Sequence, residues 1–154
     1  MYRILCDSYV LYDPRLPDLF VFEPELTQKK NEPGELSFTI PKEHPNYGVL
    51  EKIKSRIKVY RDDTLIWVGR VIEDERDLYE NRKVMVEGAL SFLLDSVMRP
   101  FSFEGTVTEL FTRILAEHNA QVNENQRFVI GACDLTGSIS IAAKDYLSAW
   151  QALK

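Results

Sequence analysis

The chain has 154 residues, 45% of them hydrophobic, and a formal net charge of −5. That length suits one full core or two small ones, and the charge argues against a general electrostatic attraction to nucleic acid. No run approaches the roughly 18 apolar residues of a membrane span, and two cysteines, Cys6 and Cys133, make no disulfide scaffold. Both cysteines are expected as buried free thiols.

The start, MYRILCDSYV, has neither a long apolar core nor a small-residue cleavage site, so no signal peptide is expected. Tyr2 to Cys6 reads as a short strand. Asp7 to Pro17 reads as a turn region, with Pro14 and Pro17 restricting the backbone. Leu19 to Phe22 suggests another strand, interrupted by Glu23-Pro24-Glu25, and Leu26 begins a further extended piece. Asn31-Glu32-Pro33-Gly34 is a strong turn signal. Glu35 to Ile40 then alternates cleanly, with Leu36, Phe38 and Ile40 on one face. Pro41 ends that strand or sets it at an edge. Pro41 to Lys54 is a connection whose apolar residues are expected to plug one end of a barrel.

Lys54 to Gly88 organises the first half. Ile57 and Val59 share one parity. After Asp62-Asp63 the alternation resumes with Leu65, Trp67, Gly69 and Val71 against Ile66, Val68, Arg70 and Ile72. Val84 to Val86 follows the polar stretch Glu73 to Arg82, read as a connection. Period-two runs split by polar turns predict an antiparallel meander. Apolar groups on both parities of Leu65 to Ile72 suggest a strand covered on both faces or set in a barrel wall.

Helical patterns dominate the remainder. Ala89 to Asp95 predicts a short buried helix, and Phe101 and Phe103 begin an extended segment. Thr106 with Glu109 forms a capping box. Val107, Leu110, Phe111, Ile114 and Leu115 then give one buried stripe. His118 is expected at the helix end, serving its terminal carbonyls. Arg127 to Ile130 and Ser138 to Ala142 are read as short strands. Ser148 with Gln151 is a second capping box, opening a helix of barely two turns. Such a short helix favours a chain that continues in a longer polypeptide. The expected fold is mainly β with α+β character: a small antiparallel barrel-like domain over residues 1–98, followed by an incomplete α+β segment over residues 99–154.

The chemistry-bearing residues are sparse. The only histidines, His44 and His118, stand apart from Cys6 and Cys133, so no zinc spacing is present and no metal or cofactor is expected. Neither cysteine sits in a recognisable nucleophile context, and the glycines make no phosphate-cradling loop. Glu73, Asp74, Glu75 and Asp77 are the densest carboxylates. A pair among them defines a cell-wall hydrolase reading, weighed against a solvent-facing surface. Exposed Trp67 or Tyr47 would define a carbohydrate-binding module, although the alternation around Trp67 favours the core. Arg70, inside an apolar strand, suggests a contact between subunits or domains or a pair with Glu73, Glu75 or Glu87. Lys52, Lys54 and Lys58 form a positive strip, and Glu73, Glu75 and Asp77 a negative one.

Several segments carry a family resemblance. They are GELSFTIP at Gly34 to Pro41, HPNY at His44 to Tyr47, IKVYRDD at Ile57 to Asp63, IWVGRV at Ile66 to Val71 and VEGALSFLLDSVMRP at Val86 to Pro100. EHN at Glu117 to Asn119 and QRF at Gln126 to Phe128 complete the series. In this order the chain resembles the amino-terminal part of prophage tail proteins, the tail-hub or tail-associated proteins of long-tailed phages of Gram-positive bacteria. The fit weakens around Val10 to Glu25 and Asp134 to Tyr146.

The resemblance implies a structural component of the tail tip, with antiparallel barrels and helical additions. It implies a homotrimeric ring joining the tail tube to distal baseplate, fibre or enzymatic elements. Other tail and baseplate proteins are the implied partners, and host-cell attachment the wider process. The implied location is the virion tail tip, after assembly in the bacterial cytoplasm of a prophage host. No catalytic residue comes with the resemblance, since none of these motifs is catalytic. An enzymatic region would belong to a downstream part of the full-length protein. Lys52, Lys54, Lys58, Arg70, Glu73, Glu75, Asp77 and Glu87 are the candidate structural or interface residues.

Overall fold

Seven strands of the first half pair in one antiparallel sheet in the computed structural model, which describes residues 1–154. They are β1 (Tyr2–Cys6), β2 (Tyr9–Tyr12), β3 (Phe22–Thr27), β4 (Glu35–Ile40), β5 (Arg56–Arg61), β6 (Thr64–Arg76) and β7 (Arg82–Gly88). Their order across the sheet is β2-β1-β5-β6-β7-β4-β3. The predicted neighbours β5, β6 and β7 are therefore adjacent. One parity of each central strand builds the core: Ile4 and Cys6, Leu36, Phe38 and Ile40, Ile57 and Val59, Trp67 and Val71, Val84 and Val86. The sheet curls around these side chains, bringing residues of both edge strands to line a common hollow. The barrel-like antiparallel architecture is thus present as a curled half-barrel.

Two bulges in β6 explain its mixed pattern. Val59 faces Trp67 but Tyr60 faces Leu65, which leaves Ile66 as the extra residue. Ile66 packs against the core although its parity is the outer one. Val71 faces Val86 but Glu73 faces Met85, so Ile72 is a second extra residue. Beyond it the parity inverts, and Asp74 and Arg76 stand opposite Val84 and Arg82. The reading of Glu73 to Arg82 as a connection is corrected accordingly. Glu73 to Arg76 extend β6, Arg82 opens β7, and only Asp77 to Asn81 turn the chain.

Other expectations also change. Asp7 to Pro17 contains strand β2. Pro24 does not break β3, because that strand is a sheet edge and bulges between Phe22 and Glu25. Pro41 ends Glu35–Ile40 without setting it at an edge: that strand and Tyr2–Cys6 are both internal, and the edges are β2 and β3. The connection from Pro41 to Ser55 forms turns without a helix. It puts Leu50 into the core, with Tyr47 and Val49 packed against it. His44 is buried there, with Nε2 2.8 Å from the Leu11 carbonyl and Nδ1 accepting the Asn46 N–H at 3.0 Å. These partners select the Nε2–H tautomer.

Backbone proximity groups the chain into two compact units, Met1–Ala89 and Leu90–Lys154. In the second unit, β8 (Val97–Met98) pairs with β11 (Leu147–Ser148), and β9 (Phe101–Thr106) with β10 (Ser138–Ala143). Helix α1 (Val107–Gln121) begins at the predicted capping box on Thr106, and α2 (Ala149–Leu153) at the one on Ser148. Leu93, Met98, Leu110, Ile114 and Ala149 form this unit's buried core, with Trp150 and Leu153 packed against it. The predicted short helix at Ala89 to Asp95 is a 3-10 turn over Ala89–Leu94. Arg127 to Ile130 is not a strand.

Candidate assembly surface

The end of the β6–β7 hairpin is held by a buried arginine. Parity inversion at Ile72 points Asp74 toward Arg82, which is 5% exposed. Arg82 Nε donates to Asp74 Oδ1 at 2.9 Å, and Nη2 donates to Asp74 Oδ2. Its remaining N–H groups reach the carbonyls of Tyr47 at 2.5 Å and Leu50 at 3.1 Å. The guanidinium also lies 5.4 Å from the centre of the Tyr47 ring. One planar fork therefore neutralises its charge and ties the plugging connection to the hairpin. Asp74 raises the Arg82 pKa further, keeping the cation permanent.

Asp77 organises the turn itself. Its Oδ1 accepts the N–H groups of Tyr79 at 2.8 Å and Asn81 at 3.0 Å, and its Oδ2 accepts from the Asn81 amide at 3.0 Å. Those donors hold the Asp77 carboxyl below its ordinary range. This is a turn-forming carboxylate of the Asx type.

Arg70 and Glu87 sit opposite each other in the ladder, with Nη2 3.8 Å from Oε2. The pairing considered from sequence is present. Register extends it into a charged row across the outer face: Glu35 opposite Glu87, Glu87 opposite Arg70, and Arg70 opposite Arg56. Glu73 and Glu75 share this face and line a groove of about 340 Å³ with Glu23 and Lys83. Lys54 pairs with Glu51 at 2.9 Å in the preceding turn, where Lys52 is exposed. Lys58 lies apart from them in β5, facing Val68. The positive strip is therefore a turn plus one strand position.

The second unit contains a buried polar clamp that sequence reasoning missed. His118 and Ser96 are both 0% exposed, with Nδ1 2.7 Å from the serine Oγ. His118 Nε2 lies 3.0 Å from the Gln126 carbonyl. Asn119 grips the Phe128 backbone through both amide atoms, at 2.7 and 2.9 Å. The imidazole does not serve the carbonyls of its own helix end, as expected from sequence. It satisfies groups on two other segments instead. A serine at this distance from an imidazole has a nucleophile's geometry, but complete burial keeps a substrate carbonyl from Oγ. The clamp fixes Gln126 to Phe128 without a strand ladder, which corrects the strand expected there. The only advance signal was the joint presence of EHN and QRF.

Cys6 is buried, and burial pushes its thiol up to about 11. Cys133 is only half-buried, contrary to expectation, and the Thr108 hydroxyl lowers its pKa. No three His, Cys, Asp or Glu residues are grouped to hold a metal ion. Trp67 is 7% exposed, its Nε1 donating to the Pro33 carbonyl at 3.4 Å. Tyr47 lies under Arg82 and donates its hydroxyl to the Glu80 carbonyl. Trp67 thus lies in the core, and one face of the half-buried Tyr47 ring is taken by Arg82. No helix is long and apolar enough to cross a membrane. No family model matches the chain, and no curated protein matches it as a relative.

Proposed function

We propose that the chain is a structural module of a phage or prophage tail tip, part of the hub between tail tube and distal elements. The observation carrying this reading is where the resembling segments fall. GELSFTIP runs from the Gly34 turn through β4, IKVYRDD is β5 with its turn, and IWVGRV is the centre of β6. VEGALSFLLDSVMRP runs from the end of β7 through β8, while EHN and QRF supply the two sides of the His118 clamp. These segments include residues that shape the core and fix its irregular parts. A module whose resembling segments build its shape fits an assembly role. Its partners are further copies and other tail proteins, and no catalytic residue is assigned. Immunogold labelling of tails released from an induced lysogen tests the reading. Label at the tail tip is expected, and label confined to the head or tail shaft overturns it. Release of wall fragments by the purified chain, abolished by Glu73→Gln or Glu75→Gln, would move the assignment to a hydrolase.

A further inference from the structure

An open sheet leaves two edge strands, each a row of backbone groups on which another chain can build. Here the edges are β2 and β3, and they are blunted by different means. β3 carries Pro24, the exposed carboxylates of Glu23 and Glu25, and a bulge between Phe22 and Glu25. Each of these features obstructs the addition of a strand. β2 reads YVLY, with neither proline nor charge. Its protection comes from a distant part of the chain.

Leu5 of β1 faces Val10, but Ile4 faces Tyr12, so Leu11 is an extra residue in β2 without a partner in β1. Leu11 is fully buried, and its carbonyl needs a donor from outside the ladder. His44 Nε2 supplies it at 2.8 Å. The neighbouring Val10 carbonyl accepts the Asn46 side-chain amide at 2.8 Å. Val10 is only half-buried, where water would serve its carbonyl equally well, so this second bond covers the edge rather than rescuing a buried group. Both donors come from the connection between β4 and β5, and its geometry presents them. The Asn46 N–H donates to His44 Nδ1 at 3.0 Å, which leaves Nε2 to carry the proton the Leu11 carbonyl needs. The His44 N–H reaches the Pro41 carbonyl and the Tyr47 N–H the His44 carbonyl, each at 3.0 Å.

We propose that the His44–Asn46 turn is an edge guard, which occupies carbonyls of β2 and so keeps that strand from pairing with a strand of a second copy. Two side chains of the same molecule take the bonds that N–H groups of an added strand would otherwise make. Covering an edge with a loop is a device that suppresses edge-to-edge association. The guard rests on these hydrogen bonds and on the strand order, independently of the tail-hub reading.

Sedimentation velocity over a concentration series, read together with hydrogen exchange of the Tyr9–Tyr12 segment, tests it on the 154-residue chain. Asn46→Ala keeps the backbone bonds of the turn and removes only the amide that covers Val10. It is expected to associate at least about tenfold more tightly than the wild type, with the Tyr9–Tyr12 amides gaining protection as concentration rises. His44→Ala with Asn46→Ala bares both carbonyls and is expected to strengthen the effect. If that protein fails to fold, Asn46→Ala alone decides. Near-UV circular dichroism checks the packing of each variant. Tyr9 is exposed, and Tyr9→Lys adds the kind of charge that blunts an edge. In the Asn46→Ala background it is expected to return association to the wild-type level. A folded Asn46→Ala protein that matches the wild type in mass and exchange up to about 1 mM overturns the proposal. Association that protects a different strand, or that survives Tyr9→Lys, overturns it as well. Immunogold label absent from the tail tip would sink the hub reading and leave the guard standing.

Discussion

Individual side chains in this protein show how position sets reactivity. Cys6 lies in the core and its thiol is pushed up to about 11, whereas Cys133 is half-buried and lowered by the Thr108 hydroxyl. Thiolate is the reacting form. Iodoacetamide at neutral pH is therefore expected to label Cys133 first, with Cys6 modified only on unfolding. Peptide mapping showing equal rates in the native protein would contradict this. Asp13 makes a second case. It is 3% exposed, and its Oδ1 and Oδ2 accept from Arg15 Nε and Nη2 at 2.9 and 2.6 Å. The guanidinium holds its pKa down at about 2. An unfolded aspartate titrates near ~3.9, so the folded state binds the proton less readily. The stabilisation is fully present above ~pH 4 and is lost as pH falls through about 2. Urea midpoints measured from pH 5 to pH 2 should fall, and less steeply in Asp13→Asn. The same slope in both proteins would show that this ion pair is not linked to folding.

At the scale of elements, β4 and the β6–β7 ladder carry the sheet. Phe38 is 3% exposed in β4, and Phe38→Ala should cost about 3–5 kcal/mol through lost burial and a residual cavity. Gly69 and Gly88 face each other in the ladder with the Trp67 indole close to both. A Cβ on Gly88 would lie 1.7 Å from the Pro33 carbonyl oxygen, so Gly88→Ala must displace backbone. It should cost at least about 1–3 kcal/mol. Denaturant melts with unchanged midpoints would refute either assignment. Phe38 was legible in advance because strict alternation reports burial directly. Gly88 was legible only as a boundary, since its constraint comes from Pro33, distant in sequence. The bulges at Ile66 and Ile72 were invisible for a related reason. A single extra residue looks like a strand with two apolar faces, and only the register of the partner strand separates the two. That one residue turned Asp74 inward and created the Arg82 site. Capping boxes, by contrast, are local in sequence, and both were found at the expected threonine and serine. The His118 clamp joins three segments with no shared period, so periodicity did not announce it, and only the EHN and QRF segments marked two of its sides.

For the whole molecule the decisive property is closure. A head-to-tail contact either returns to its start as a ring or continues as an open polymer. The hub reading requires closure at three copies. On that reading, light scattering should show a mass that rises with concentration and then levels at a trimer, as mass action demands for a closed assembly. A mass that keeps climbing, or a plateau at two copies, would defeat the three-fold assignment. The charged strips give a separate handle on the same equilibrium. Lys54 is already engaged by Glu51, so the Lys52–Lys54–Lys58 strip offers less free charge than its sequence suggests. Reversing all three to glutamate should still weaken assembly if the strip steers neighbouring copies. The loss should be larger at low salt than at ~1 M, where the Debye length shrinks to about 3 Å. Equal assembly of wild type and the reversed variant at low salt would remove these lysines from the interface.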